Sequence, residues 1–242
     1  MAGHSKWANI QHRKNKQDAK RAKLFTKLIR EITVSARMGG GDPGSNPRLR
    51  SAIDAALSNN MTRDTIDRAT KRGAGGGEGE HVEDIRYEGY GPGGVAIIVE
   101  AATDNINRTL PEVRLAFTKH GGNLAEKGAV AFQFNQKGVI RVKGSGDEVL
   151  MQALEAGAQD VEEDSGESLI YTDSKELAKV RDTLKNSGME ILEAELAYIP
   201  NATVKIEDRE TAGKIIRLMD ALEDLDDVSN TFTNFDIPDN LI

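Results

Sequence analysis

The stretch that decides the fold is KGVIRVKGSGDEVLMQALEAGAQDVEEDSGESLIYTDSKELAKVRDTLKNSGMEILEAELAYI, residues 137–199. Four short apolar runs predict strands, and two segments with apolar residues three and four positions apart predict helices. The predicted order is a strand at 139–142, a helix at 147–156, strands at 159–163 and 168–172, a helix at 174–186 and a strand at 190–198. This β-α-β-β-α-β order is that of a complete ferredoxin-like unit.

The segments on either side of this unit each contain only part of an α/β domain. Strands at 85–89, 95–102 and 129–134 and a helix at 107–119 are predicted before it, and strands at 203–206 and 228–235 and a helix at 208–222 after it. Because neither part is complete, we expect one discontinuous domain of residues 80–135 and 201–242, with residues 136–200 inserted into it.

The first 79 residues are expected to form a helical domain. Helices are predicted at about 15–37, from residue 46 and from residue 62 to 72. The glycine-rich residues 73–79 resemble a phosphate loop, but the Gly-Lys-Ser/Thr ending is missing and a flexible linker is favoured. The fold class is therefore α+β multidomain, with a three-helix domain and two α/β domains, the second ferredoxin-like and inserted into the first.

Several classes of function find no support in the composition. The absence of cysteine excludes disulfides, thiolate zinc sites and cysteine nucleophiles. The four histidines have no metal-ligand spacing, and no Gly-x-Ser-x-Gly motif occurs. The longest aliphatic run, at 95–99, is far shorter than the ~20 residues of a membrane span. We therefore expect no catalysis, metal, cofactor, small-molecule substrate or membrane partner. We also expect a cytoplasmic location, because the basic N-terminus lacks the apolar part of a secretory signal.

Charge is distributed unevenly along the chain. Of the 32 Lys and Arg and 39 Asp and Glu residues, residues 1–72 hold 16 and 6, a net charge of +10. The remainder holds 16 and 33, a net charge of −17. Solubility accounts for an acidic body, but positive charge collected in one segment points to a polyanionic partner.

The first predicted helix places its cations on one face. Its apolar residues cluster around Phe25, and a basic stripe lies within about 40° of the opposite pole, given 100° per residue. The stripe consists of Lys16, Lys20, Lys23, Lys27 and Arg30. Like charges at this spacing repel, and a phosphate backbone would offset that cost, so phosphate contact is favoured over a solvated face. In the preceding segment, Arg13 and Lys14 are assigned to phosphate, and Lys6 is a further candidate for nucleic-acid binding. Trp7 either stacks on a base or covers the helical core.

A second candidate surface involves the turn at 90–94 and the polar segment 103–109, expected at neighbouring ends of one hairpin. Partner binding by Tyr90, Asp104, Asn105 and Arg108 is one interpretation. The alternative is that Asp104 or Asn105 simply caps the following helix.

Five motifs in order closely resemble the YebC family, whose mitochondrial relatives are translational activators of cytochrome c oxidase subunit one. They are MAGHSKWANIQHRK (1–14), NMTRDTIDRATKRG (60–73), YEGYGPGGVA (87–96), TDNINRT (103–109) and FTKHGGNL (117–124). Thr62 departs from the proline usual in this family, although either residue can begin a helix. The resemblance implies three domains, two of them α/β around a cleft, and a bacterial cytoplasmic protein without catalysis.

Family members are described as DNA-binding transcriptional regulators or resemble translation factors that act at the ribosome, including at stalling proline runs. We therefore expect a non-enzymatic nucleic-acid-binding regulator of gene expression, a DNA-binding transcriptional regulator in the first place. The alternative is a translation factor that binds ribosomal RNA or the ribosome. Phosphate contacts carry no sequence information, so the charge pattern supports either.

Overall fold

The computed structural model describes residues 20–75, 82–164 and 166–241. These residues form two compact units: Phe134–Thr203 is one, and the other joins the described residues before Phe134 to those from Val204 onward. Three described helices precede two α/β regions, the second of which is ferredoxin-like and inserted into the first. This α+β class is the predicted one, which is confirmed. The domain limits given above stay predictions.

The helical region consists of α1 (Lys20–Gly39), α2 (Pro47–Ser58) and α3 (Arg63–Gly73). The side chain of Asn46 caps α2 by accepting from the Leu49 amide at 3.1 Å, and Thr62 caps α3. The buried core is aliphatic and consists of Ile32, Ala36, Leu49, Ala52, Ala56, Met61, Ile66 and Ala69. The apolar residues of α1 that share a helical face are thus those that pack on α2 and α3.

Gly73 closes α3 at a point where this helix meets α1. A Cβ added to Gly73 would overlap with the carbonyl oxygen of Thr33 and lie 2.8 Å from the Cβ of Ala36. The assignment of Gly73 to the linker is therefore wrong, because it is a buried helical residue that permits close approach of two backbones.

The discontinuous α/β region holds a four-stranded antiparallel sheet of order β3-β1-β2-β9. Its elements are β1 (Glu83–Tyr90), β2 (Ala96–Thr103), α4 (Ile106–Lys119), β3 (Asn123–Ala125), α7 (Arg209–Glu223) and β9 (Val228–Thr233), with a small parallel pair of β8 (Val204–Lys205) and β10 (Phe235–Asp236). The strand predicted at 129–134 is wrong: a 3-10 turn (Ala131–Gln133) occupies half of it, and only residue 134 lies in a strand. The short strand β3 was not predicted.

The inserted unit consists of β4 (Phe134–Lys143), α5 (Asp147–Glu155), β5 (Asp160–Asp164), β6 (Glu167–Asp173), α6 (Leu177–Asn186) and β7 (Ile191–Pro200). Its sheet order, β5-β6-β4-β7, is that of a ferredoxin-like fold. One core side faces the two helices and includes Ile140, Val142, Ala153, Ile170, Leu177, Val180 and Leu184.

Candidate nucleic-acid interface

The predicted basic residues fall into three groups in the structure. Lys6, Trp7, Arg13, Lys14 and Lys16 lie outside the described residues. Lys20 and Lys23 lie in the first two turns of α1. Lys27 and Arg30, further along the same helix, are half-buried and have specific partners. At Lys27 and Arg30 the predicted stripe is therefore not a fully exposed face, since both side chains are half-buried against partners within the fold.

Lys27 and Arg30 contact the C-terminal end of α7. The Nζ of Lys27 donates a hydrogen bond to the carbonyl oxygen of Glu223, the last residue of α7. Arg30 donates to the carbonyl oxygen of Asp226 at 2.7 Å and to the carboxylate of Asp227. The last carbonyls of a helix have no intrahelical donors and carry partial negative charge, and the last turn of α7 has no basic residue of its own. Lys27 and Arg30 of α1 therefore supply the positive charge and the hydrogen-bond donors that the C-terminal end of α7 lacks.

Asp227 is the centre of a polar cluster in which three elements meet. The residue is 1% exposed. Its carboxylate accepts hydrogen bonds from the hydroxyls of Thr109 at 2.7 Å and Thr103 at 3.1 Å. The guanidinium of Arg108 adds contacts of 2.8 and 3.0 Å from Nη2. With Arg30 from α1, this carboxylate joins the helical region to the start of α4 and to the turn before β9.

The electrostatics of the cluster favour the charged forms of its members. Burial raises the pKa of Asp227, but hydrogen bonds from Thr109 and Arg108 outweigh burial and hold the pKa below its ordinary value. The pKa of Arg108 is raised because Asp227 and Asp104 accept hydrogen bonds from its guanidinium. A buried carboxylate with this many donors is a stable anion at neutral pH.

Segment 103–109 is explained by this cluster and by helix capping. The side chain of Asn105 accepts a hydrogen bond from the amide of Arg108 at 3.2 Å and caps α4, which confirms the capping alternative for this residue. Asp104 pairs with Arg108 at 2.8 Å. Partner binding by these residues stays a prediction.

Tyr90 does not lie near Asp104, Asn105 and Arg108 along the hairpin. Tyr90 pairs with Ala96 at the turn, whereas Thr103 pairs with Glu83 at the open end. The eight-residue strands place these ends roughly 24 Å apart, given about 3.4 Å per residue. The expectation of neighbouring ends is therefore wrong, because antiparallel pairing puts the turn and the segment after β2 at opposite ends.

The turn end of the hairpin is held by a carboxylate that the sequence analysis missed. Glu88 is 1% exposed and accepts hydrogen bonds from the amides of Gly128 at 2.7 Å, Val130 at 3.0 Å and Ala131 at 2.7 Å. Burial raises the pKa of Glu88, and these amides more than compensate, so the pKa is lowered. The hydroxyl of Tyr90 donates to the carbonyl oxygen of Ala129 in the same loop at 3.2 Å. In the sequence, Glu88 is a single acidic residue near two tyrosines, and nothing in that pattern indicates that it binds the loop before β4.

A second set of contacts joins the helical region to the α/β region. Arg48 of α2 bonds both carboxylate oxygens of Glu31, at 2.7 and 3.0 Å, and its Nη1 reaches Asp84 of β1 at 2.7 Å. Arg37 donates to the carbonyl oxygen of Val82 at 3.1 Å. Several arginines of the basic segment thus fix α1 and α2 on the sheet. By contrast, Arg63, Lys71 and Arg72 of α3 have exposed side chains.

The described residues offer little for other kinds of site. No cluster of three or more His, Cys, Asp or Glu side chains suited to a metal ion occurs among them. None of the described helices has both the length and the apolar composition needed to cross a bilayer.

The fold and the site define a class of protein in which a basic helical region is docked by cations on an acidic, discontinuous α/β body. Residues 5–76 match the model of the TACO1/YebC protein N-terminal domain, and residues 82–235 match that of the TACO1/YebC second and third domain. The chain belongs to the TACO1/YebC family, and the resemblance found in the motifs is confirmed.

Relatives and a solved structure cover nearly the whole chain. A protein of Fusobacterium nucleatum named probable transcriptional regulatory protein is 56% identical over 245 residues, covering 100% of this chain and 98% of its own length. The probable transcriptional regulatory protein YebC of Salmonella arizonae is 56% identical over 241 residues, covering 99% and 97%. The crystal structure of a conserved hypothetical protein from Aquifex aeolicus is 51% identical, with a TM-score of 0.87 over 92% of this chain and 93% of that one.

Proposed function

We propose that this protein is a non-enzymatic regulator of gene expression that binds nucleic acid, and in the first place a DNA-binding transcriptional regulator. The observation that carries the proposal is the charge separation, with +10 in residues 1–72 and −17 in the remainder. Such a segment attracts a phosphate backbone, whereas the body repels it. The names of the relatives from Fusobacterium nucleatum and Salmonella arizonae support a role in transcriptional regulation.

Binding would rest on phosphate contacts and counterion release rather than on base readout. The helix α1 contains no Asn or Gln, the side chains that pair with adenine in a bidentate manner. A stripe of this composition positions a protein on a nucleic acid but discriminates weakly between sequences.

The same composition favours a second candidate, a translation factor that binds ribosomal RNA or the ribosome. Double-stranded RNA is recognised mainly through its shape and its phosphate and 2′-hydroxyl groups, which requires no base-reading side chains in a groove. The two candidates use the same cations and differ in the nucleic acid that they contact.

A non-enzymatic role is supported by how the two carboxylates that are 1% exposed, Glu88 and Asp227, are used. Glu88 and Asp227 have lowered pKa values because they accept several hydrogen bonds within the fold. A carboxylate of lowered pKa with its acceptor positions filled is a poor general acid or base near neutral pH.

Crosslinking in cells, followed by sequencing of both the DNA and the RNA recovered with the full chain, tests the proposal. Enrichment of promoter DNA would support the transcriptional regulator, and enrichment of ribosomal RNA would support the translation factor. Recovery of neither above the level of an unrelated acidic protein would refute nucleic-acid binding.

A further inference from the structure

Helix α5 of the inserted unit exposes a group of apolar side chains to solvent. Met151 is 61% exposed, Leu154 50% and Leu150 39%, and all three lie within five residues of one helix. At 100° per residue their side chains fall within an arc of about 100° and form one continuous surface, which we call the apolar stripe. Single exposed apolar residues are ordinary on protein surfaces, whereas a contiguous group of them marks an interaction site.

The apolar stripe is not required for the core of the inserted unit. α5 has a separate core face, which includes the completely buried Ala153. The neighbouring helix α6 also buries one face in this core, and its exposed positions carry the polar residues Lys179, Thr183 and Lys185. A polar outer face of this kind is what a surface helix needs for solubility. The apolar residues on the outside of α5 therefore serve something other than folding.

The apolar stripe faces away from α6. The hydroxyl of Ser187, which follows α6, donates to the side chain of Gln152 at 3.4 Å, and Gln152 projects about 150° from the centre of the stripe. The amide of Gly146, which precedes α5, donates to the carboxylate of Glu163 in β5 at 2.6 Å. Since β5 is the edge strand of the described sheet, the stripe lies at the open side of the inserted unit.

The charged residues of α5 and β5 are all acidic. Residues 147–164, which span both elements, contain seven Asp and Glu residues and no Lys, Arg or His. Three of these acids, Asp147, Glu148 and Glu155, are exposed residues of α5 itself. An apolar surface with this charge attracts a cationic partner and repels a phosphate backbone.

Size and charge together argue against a second copy of this chain as the partner. A two-fold dimer through the apolar stripe would place the acids of one copy against the same acids of the other. A stable interface also takes roughly 20–30 residues a side, which three side chains cannot supply. A short amphipathic helix matches the stripe better, because its apolar anchors recur every three or four residues along one face. The flexible side chain of Met151 can adapt to such anchors.

We propose that α5 is a docking surface for a basic amphipathic helix of a partner protein. The apolar face of that helix would cover the apolar stripe, and its Lys or Arg residues would lie beside Asp147, Glu148 and Glu155. This surface is additional to the proposed nucleic-acid binding and does not depend on it, since the two use opposite charges.

A synthetic peptide that binds the full chain tests the proposal. The probe is an 18-residue peptide of Leu and Lys whose leucines share one helical face. The control peptide has the same composition in an order that spreads the leucines around the helix. The probe should bind about ten-fold more tightly, because only it presents an apolar face to the stripe. Equal affinity of the two peptides would mean that charge alone attracts them, which would overturn the proposal.

A matched pair of double variants tests the apolar contribution. Met151→Gln with Leu154→Gln should weaken binding of the probe about ten-fold, because the peptide leucines lose the apolar surface that they cover. Met38→Gln with Leu115→Gln removes a methionine and a leucine of similar exposure, 69% and 65%, elsewhere in the chain and should leave affinity unchanged. Equal losses in the two double variants, or none in the first, would reject the apolar stripe as the binding surface.

A second pair of variants tests the charged contribution. Glu148→Gln with Glu155→Gln should weaken binding of the probe at low salt and reduce the loss of affinity on raising the salt concentration, since fewer charges remain to be screened. Glu112→Gln with Glu126→Gln removes the same number of charges elsewhere in the chain and should change neither quantity. If both pairs behave alike, net charge and not the acids of α5 governs binding, and the proposal fails.

Carbodiimide crosslinking of the unaltered protein, which joins carboxylates to lysine amines in direct contact, identifies the occupant. With the probe present, Glu148 and Glu155 should be crosslinked to peptide lysines. In the protein alone, crosslinks from these two residues to lysines of a second, isotopically labelled copy would assign the stripe to dimerisation. Crosslinks to lysines of residues 1–19 would assign it to this chain's own N-terminal segment. Either result would overturn docking of a partner protein.

Discussion

Arg30 on α1 forms an ion pair with Asp227, which lies 197 residues later in the chain and is 1% exposed. The same carboxylate binds Arg108 at the start of α4. One buried anion therefore links the helical region to both segments of the discontinuous α/β region. The basic segment is thus fixed to the body by some of its own positive charges.

Replacing Asp227 by Asn should strongly destabilise the protein. The amide keeps the shape but removes the charge, which leaves two arginines without their anion and places amide hydrogens against hydroxyl donors. The free energy of unfolding in urea should fall by about 2–4 kcal/mol, which is below the roughly 3–5 kcal/mol for breaking a fully buried pair because both arginines are partly exposed. Asp104→Asn is the control, since Asp104 pairs only at the exposed side of Arg108 and should cost at most about 1 kcal/mol. Similar losses for both variants would contradict a central role for Asp227.

Asp227 should also make the free energy of unfolding depend on pH under acidic conditions. Because the pKa of Asp227 is lowered on folding, its contribution is fully present above the unfolded value of about 3.9 and is lost as pH falls through the folded value. The difference in unfolding free energy between wild type and Asp227→Asn should therefore be constant from neutral pH to about pH 5 and shrink below about pH 4. Unfolding in urea at a series of pH values measures this difference. A constant difference down to pH 2 would show that the charge of Asp227 is not what stabilises the cluster.

The charge of Glu100 in β2 should have the opposite effect on stability to that of Asp227. Burial raises its pKa, and the neighbouring Glu31 adds to that effect, although the amide of Asn230 donates a hydrogen bond at 3.3 Å. A raised pKa favours the folded state below the unfolded value, and this contribution is lost as pH rises through the folded value. Glu100→Gln should therefore raise the midpoint temperature at pH 7 and have little effect near pH 3. A lower midpoint at pH 7 would mean that the carboxylate has a favourable role there.

Sequence patterns predicted the features that depend on residues close together in the chain. The apolar face of α1, the caps at Asn46 and Thr62, and the order of the ferredoxin-like unit all follow from local spacing. A helical projection gives the direction in which a side chain points, but it does not show which distant part of the chain that side chain contacts. The partners of Lys27 are 196 residues away, and the sequence therefore could not show that part of the stripe is a docking surface.

The error at 129–134 has a similar cause. The apolar residues there suggested a strand, but the loop before β4 is shaped by three amides that bond Glu88, which lies about 40 residues earlier. A carboxylate that organises a distant loop leaves no periodic pattern. The hairpin of β1 and β2 is present as predicted, but its antiparallel pairing puts Tyr90 and segment 103–109 at opposite ends.

Gly73→Ala should disrupt the contact between α1 and α3. The added Cβ would overlap with the carbonyl oxygen of Thr33, and neither backbone can move without separating the helices. Overpacking of this kind costs about 1–3 kcal/mol, which exceeds the gain in helix propensity of up to about 1 kcal/mol. Gly213→Ala in α7 is the matched control, since the new Cβ would meet only the mobile end of Arg217 at 3.3 Å and should stabilise the protein. Thermal unfolding followed by circular dichroism measures both, and a stabilising Gly73→Ala would show that the helices can separate at little cost.

The inserted unit should fold without the rest of the chain, whereas the α/β region that contains it should not fold from its N-terminal segment alone. Within Phe134–Thr203 every strand of the β5-β6-β4-β7 sheet is present, and the core between that sheet and helices α5 and α6 comes from the same segment. A fragment of residues 82–133, by contrast, lacks β9, which pairs with β2 along Ile97–Glu100 where Ile97, Ile98 and Val99 are completely buried. Exposing this row to water removes the hydrophobic stabilisation that orders the sheet. Urea unfolding should show one cooperative transition for the fragment of residues 134–203 and none for the fragment of residues 82–133. Joining residues 204–242 to residues 82–133 through a short glycine-serine linker should restore a cooperative transition. Cooperative folding of residues 82–133 alone would show that β9 is an accessory strand rather than half of the domain.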